Sequence, residues 1–392
     1  MPSFSRRVAL TGIGSGLVVV CAGCLSTTCQ TRQPETGDWT QIGNDPQHTG
    51  ADTSITGVTE GDTHWERTYN PAFDPAGFAV LDDRIIIGGR HQTESGFLRL
   101  RSLADGELLE TVEISTPVTA RPVLSKDSIV ATCRTDDRQG SYRVYDHRGE
   151  EQWTYELDGS FPAPPTISQS TIYGGDPEGT VFALREADGE ILWERSFGDE
   201  QEGGSVSAPV TVDETSVYVP VWSSAERGIY ALSRENGSTR WKIEGPRIQS
   251  VMVRMGDLLL VSYPSYDLAA FDVDSGERRW SQSLDERRIS PPAVGHGTVV
   301  ISDEATLYGC DIATGERQWS LGCNPDPNSQ PVIAGDVVVV QCESGLVGCS
   351  VSGGERLWSL DHGSNAPVVP VQNGFVYHPE TTKFSAFTIC QR

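Results

Sequence analysis

The sequence predicts an all-β chain closed into a ring of eight four-stranded antiparallel units, a β-propeller, and three observations predict it. A segment of the form Gly-x-x-x-Trp, cleanest as Asp311-Ile312-Ala313-Thr314-Gly315-Glu316-Arg317-Gln318-Trp319, recurs and ends at Trp153, Trp193, Trp241, Trp280, Trp319 and Trp358. Successive tryptophans lie 40, 48, 39, 39 and 39 residues apart, and a fixed period of this size marks a repeat protein. Each interval holds four short apolar runs separated by turn residues, too little to bury a core alone, so the units must pack side by side.

The copy ending at Trp319 justifies the four strands in order. Pro291-Pro292-Ala293-Val294 opens the first, and Gly295-His296-Gly297 turns it back. The β-branched run Thr298-Val299-Val300-Ile301-Ser302 makes the second, and Ala305 to Asp311 the third. Thr314-Gly315 then turns the chain into Arg317-Gln318-Trp319-Ser320, with Gly supplying the positive φ that a tight turn needs. The Trp closes each unit as a wedge between neighbouring sheets. Burying such a ring removes about 150–250 Å² from water, and truncating it to Ala costs about 3–5 kcal/mol. These tryptophans, Trp65 included, therefore read as packing residues and not as a cofactor cage.

Stepping the register backwards gives Asp105-Gly106-Glu107-Leu108-Leu109, with Leu109 expected in the place of the Trp, and then Trp65. The expected blades are 72–109, 116–153, 162–193, 206–241, 249–280, 290–319 and 329–358. The eighth combines three strands from Val368 to Cys390 with an N-terminal strand ending at Trp65. That pairing closes the circle and removes the two open edges that would otherwise template aggregation.

The strand openings Arg121-Pro122-Val123, Ala208-Pro209-Val210, Gln330-Pro331-Val332 and Ala366-Pro367-Val368, taken with the Asp-x-x-Thr/Ser-Gly-Glu-x-x-Trp closings, resemble the PQQ-like repeat. So does the lead-in Trp39-Thr40-Gln41-Ile42-Gly43-Asn44-Asp45-Pro46-Gln47-His48-Thr49-Gly50. The resemblance covers Trp39 to the C-terminus. It implies the eight-bladed propeller of quinoprotein dehydrogenases and of the propeller lipoprotein of the outer-membrane β-barrel assembly machinery. It is specific for fold and weak for function. Asp45 and His48 lie in a loop without further ligand-type partners nearby in sequence, so a structural role is expected for them.

Residues 1–23 read as an address. Arg6-Arg7 precedes the apolar, Gly-rich run Ile13 to Val20, too short to span a bilayer, and this resembles a twin-arginine export signal. Cys21-Ala22-Gly23-Cys24 resembles a lipobox, which implies cleavage before Cys24 and lipid attachment to its sulfur. An ordinary cleaved signal is the alternative. Residues 24–38 read as a polar tether without a core of their own, and 39–392 as the propeller. The expected location is the outer face of the cell membrane, held through Cys24.

The chain carries a formal net charge of −24 over 392 residues, and losing Arg6 and Arg7 with the signal takes it to −26. Only Lys126, Lys242 and Lys383 among the 30 basic residues are Lys. A strongly acidic, Lys-poor chain with this signal resembles the exported proteins of halophilic archaea, whose self-repulsion is screened by high salt. Nucleic acid is not an expected partner for such a charge; other envelope or secreted proteins are, and the propeller is expected to be monomeric. Of nine cysteines, Cys29, Cys133, Cys310, Cys323, Cys342, Cys349 and Cys390 remain after the signal and the lipidated residue are set aside. Their pairing cannot be read from sequence, though four in blades six and seven permit a local disulfide. No Cys-x-x-Cys pair in that mature stretch suggests zinc. Asn236-Gly237-Ser238 is a glycosylation sequon on an expected turn.

In the dehydrogenases that the repeat resembles, the quinone stacks between a Trp and a disulfide of adjacent cysteines, beside a calcium ion. This chain has no Cys-Cys pair, no Cys-x-x-Cys-His haem motif, no Gly-x-Ser-x-Gly and no His-Glu-x-x-His. No catalysis, metal or cofactor is expected, and a PQQ-dependent dehydrogenase or small-ligand-binding propeller is the alternative. A binding surface is expected where the loops between second and third strands and those between blades emerge on one face. These carry Arg90, His91, Arg134, Arg138, Trp222, Arg227, Arg247, Tyr263, Tyr266, Arg287 and Arg288. Arg forks match carboxylates and Arg and aromatic residues anchor interfaces, so this rim suits a carboxylate, a polyanion or a protein loop.

Overall fold

The computed structural model describes residues 38–389, apart from 55–60, 69–72, 93–94, 135–138, 158, 160–161, 199–204, 207, 224–225, 247, 249, 264–266, 285–288, 327–328, 361–367, 372–373 and 381–382. Among these residues every regular element is a strand, and the strands form eight sheets. Seven sheets follow the chain, each built on a blade of four antiparallel strands, spanning 73–114, 123–157, 166–196, 211–244, 253–283, 293–322 and 332–360. The eighth takes Val368–Val371, Gly374–Glu380 and Lys383–Ile389 from the end of the chain and Gly61–Thr68 from its beginning. Trp65 pairs there with Ala386 in an antiparallel ladder. The innermost strand of each blade adjoins that of the next, and Val368–Val371 returns to Phe73–Leu81, which closes the ring.

The core lies between sheets rather than within one. Val253, Leu260, Leu268 and Trp280 of the fifth blade, for instance, pack with Val294, Val299, Ile301 and Tyr308 of the sixth. The tryptophan wedge interlocks these layers by two means. Its indole Nε1 donates to a backbone carbonyl of the following blade, from Trp65 to Leu103 (3.0 Å), Trp153 to Glu186 (2.9 Å), Trp193 to Arg234 (2.9 Å), Trp241 to Val273 (2.8 Å), Trp280 to Ile312 (2.9 Å) and Trp319 to Val351 (2.8 Å). Its ring also lies on the turn glycine of that blade. A Cβ on Gly315, whose φ is +75°, would stand 2.5 Å from the Trp280 ring. Glycine is thus demanded twice, by the backbone and by the neighbour.

Two expectations need correction. Leu109 does not stand in for the Trp of the first blade: its side chain is 57% exposed. Glu110 pairs with Leu100 at the register where Trp319 pairs with Gly309, because the bulge after the turn puts the Trp position four residues past the Gly. Val112 fills the space instead, since a Cβ on Gly149 would fall 2.2 Å from Val112 Cγ2. The fourth strands also run on past the Trp, to Leu157, Ser196, Glu244, Ser283, Gly322 and Leu360. Their outward residues are polar, which hides the continuation from an apolar pattern.

Candidate functional site at the two axial faces

The lead-in, residues 39–52, is not a tail but a hub. It runs round the ring where the first strands end, and blades one to seven each hydrogen-bond to it. Trp39 exchanges backbone bonds with Val80 (2.9 and 3.0 Å); Leu124 N donates to Thr40 O (2.8 Å), Val212 N to Pro46 O (2.8 Å), Arg254 N to Gln47 O (2.9 Å), Val294 N to Thr49 O (2.7 Å) and Ile333 N to Gly50 O (2.9 Å). In the third blade the Gln41 side chain does the same work, donating from Nε2 to Ile167 O (3.3 Å) and accepting from Ile167 N (3.1 Å). Ala51–Asp52 then lies parallel to Val332–Ala334 as a fifth strand of the seventh sheet. Gly43, at φ +65°, makes the path possible, for a Cβ there would meet His48 Cα at 2.6 Å.

Asp45 and His48 are spent on holding this hub. His48 is buried, with Nδ1 2.6 Å from Ile42 O and Nε2 3.0 Å from Val210 O. Burial lowers its pKa, against the pull of the two carbonyls and of Asp45. Burial likewise raises the Asp45 carboxyl, opposed by hydrogen bonds from the Thr49 hydroxyl and backbone N–H. Among the described residues no three His, Cys, Asp or Glu side chains gather as a metal site.

Beside the hub lies an open cavity of about 580 Å³. Asp38, Gln41 and Asp45 of the lead-in form one wall, and the turns Ser125–Asp127 and Ser168–Ser170 with Glu186 form the other. Glu186 is buried and accepts from the Ser128 hydroxyl (2.6 Å) and the Ser125 hydroxyl, which fixes that turn. Gln169 and Ser170 sit at φ +49° and +57°, a left-handed pair that costs residues with a Cβ about 1–2 kcal/mol each. No residue pattern marks this cavity, since its walls come from three blades and from a lead-in whose path spacing does not reveal.

The rim expected from the sequence lies on the opposite face. The second strands Arg84–His91, Ile129–Arg134 and Ser216–Trp222 end there, which places Arg90, His91, Arg134 and Trp222 at one level of the ring, with Tyr263 just after Leu258–Ser262. Arg90 is held by Asp74 (Nη2 to Oδ2 2.7 Å), which neutralises its charge locally, and His91 Nε2 lies 2.8 Å from Glu113 Oε2. Trp222 is 37% exposed and pairs across the hairpin with Arg227, itself exposed. Burial pushes the Tyr263 hydroxyl up to about 12. Arg138, Arg247, Tyr266, Arg287 and Arg288 lie outside the described residues, as do Arg6, Arg7 and Cys24.

A sequence profile for the family described as outer membrane protein assembly factor BamB matches residues 51–224 and again 225–369. The protein of that name from Yersinia pestis is 26% identical over 238 residues, 57% of this chain and 59% of the relative, so the match spans little more than half of the relative's length. Among solved structures, BamB from Moraxella catarrhalis aligns with a TM-score of 0.65 at 16% identity, covering 84% of this chain and 100% of that one. Quinohemoprotein alcohol dehydrogenase from Comamonas testosteroni aligns with a TM-score of 0.70 at 13% identity, covering 92% and 82%. At these identities the structural likeness is one of fold.

Proposed function

The chain belongs to the outer membrane protein assembly factor BamB family, and from that premise we propose that it is a protein-binding or assembly scaffold working outside the cytoplasm, without catalysis. The observation that carries the reading is the inequality of the two faces. The hub engages seven of the eight innermost strands on one side, whereas the opposite side presents connecting loops with Arg134 and a partly exposed Trp222. An interface anchored by Arg and aromatic residues and relieved of Lys fits a protein surface better than a small ligand. The partner is another envelope or secreted protein.

Twin Arg6-Arg7 and the small-residue run before Cys24 support export and a lipid anchor at the outer face of the cell membrane. The −24 charge suits a salt-rich exterior, where carboxylates stay hydrated and their repulsion is screened. Quinone chemistry is not part of the proposal, since the sequence lacks the adjacent cysteines on which such a cofactor stacks. The test is a melt of the purified protein with and without PQQ and calcium. A ligand at a hundred times its Kd adds about 2.7 kcal/mol to a folded state that alone binds it, so an unchanged Tm is expected and a clear rise overturns the non-catalytic reading.

A further inference from the structure

We propose that Cys323 and Cys342 are the site of a disulfide bond that staples the connector leaving the sixth blade to the second strand of the seventh, on the rim face. The connector is already laid alongside that strand. Pro325 bridges Cys342 in antiparallel fashion, Asp326 N donates to Gln341 O (3.1 Å), Glu343 N donates to Asn324 O (2.9 Å), and Asn324 Nδ2 reaches Glu343 Oε2 (2.8 Å). Cys323 packs against the core cluster that contains Cys342, and the two thiols lie close enough to perturb one another.

The repeat supplies its own comparison. In the second blade Val118 bridges Cys133 as Pro325 bridges Cys342. Two residues before Val118 stands Thr116, and its hydroxyl faces the Cys133 thiol. The same slot of the fold thus sets side chain 116 against 133 and side chain 323 against 342. Of these two blades, the seventh has sulfur at both positions. The other described cysteines, Cys133, Cys310 and Cys349, are fully buried in interblade cores, and burial pushes their thiols up to about 11, 11 and 12.

The chemistry follows from the exposure of the pair. Cys323 is half-buried and Cys342 lies behind it with 1% of its surface exposed. The neighbouring Cys342 thiol lowers the Cys323 pKa, against burial, which favours the thiolate as nucleophile. The oxidant is an organic disulfide, either a small one or that of a thiol oxidoreductase. Cys323 attacks one of its sulfurs, and the other sulfur leaves with the electron pair and takes up a proton. Cys342 then loses its proton, attacks Cys323 Sγ and expels the second external thiol. Two cysteine thiols are oxidised and one external disulfide is reduced to two thiols. An exported protein meets such oxidants, but the bond itself does not depend on the proposed partner.

The full chain, reduced and then equilibrated with oxidised glutathione, is quenched with an alkylating agent, digested and weighed. The expected product is one linked peptide pair through Cys323 and Cys342, lighter by two hydrogens and released by reductant, while Cys133, Cys310 and Cys349 are alkylated after unfolding. Oxidation should raise Tm in the unaltered protein and leave it unchanged in Cys323→Ser and Cys342→Ser. In Cys342→Ser, Cys323 should instead retain glutathione. Recovery of both cysteines as alkylated thiols after oxidation, or linkage of either to a different cysteine, overturns the proposal whatever the fate of the scaffold reading.

Discussion

At the scale of single residues the ring depends on a hydrogen atom. Gly315 carries no Cβ because the Trp280 ring occupies that space at 2.5 Å, and its φ of +75° is left-handed. Gly297 has nearly the same φ, +76°, but nothing stands within 4 Å of where its Cβ would be. The two glycines therefore separate backbone strain from packing. Gly297→Ala should cost about 1–2 kcal/mol from the left-handed backbone alone. Gly315→Ala should cost a further 1–3 kcal/mol or so for overpacking against the indole. Denaturant unfolding of both variants at matched high salt reads the difference, and equal losses would remove the interlock from the account. Trp, Gly and their spacing were legible in the sequence because each is repeated. Leu109 was misplaced by one residue because the first blade lacks the Trp that fixes the count, and an exposed Leu looks like a buried one on paper.

At the scale of the element, the lead-in shows what repetition cannot reveal. Its Trp, Gly and Asp marked it as a distinct segment, yet its course round seven blades is written in backbone bonds that any sequence of suitable φ could make. Side chains add to those bonds from Gln47 and His48, and Gln41 replaces the backbone bond altogether. Gln41 occupies both backbone groups of Ile167, is itself 4% exposed, and spans 126 residues of chain. Gln41→Ala should leave a buried N–H unpaired and destabilise the protein by about 1–3 kcal/mol, and Gln41→Glu, which keeps an acceptor but not the donor, should recover part of the loss. Amide exchange at Ile167 is the direct probe: protection there should fall in the Ala variant and persist in the Glu variant. The blade limits were legible to within a few residues at their openings, where Pro and β-branched residues cluster. They were less so at their ends, where the fourth strand turns polar residues outward. Four of the seven arginines of the expected rim, and the address segment with Cys24, lie outside the described residues.

At the scale of the molecule, closure by strands from opposite ends of the chain makes the ring a single cooperative object. Trp65 reaches across to Leu103, and Phe384 packs edge-on against Phe78 with ring centroids 5.0 Å apart, so the eighth blade welds the first to the last. Removal of residues 373–392 takes away the partners of Gly61–Thr68; the expected result is loss of the cooperative melt, and an unchanged transition would contradict closure. On the reading proposed above, one face of this ring receives a protein and the other is occupied by its own hub. Photo-crosslinking tests it most directly, with the reactive group placed at Trp222 on the rim in one variant and at Asp127 beside the hub cavity in another, in cells producing the full chain. A discrete protein adduct is expected from position 222 and none from position 127. Adducts from 127 alone, or from neither position, would contradict that reading.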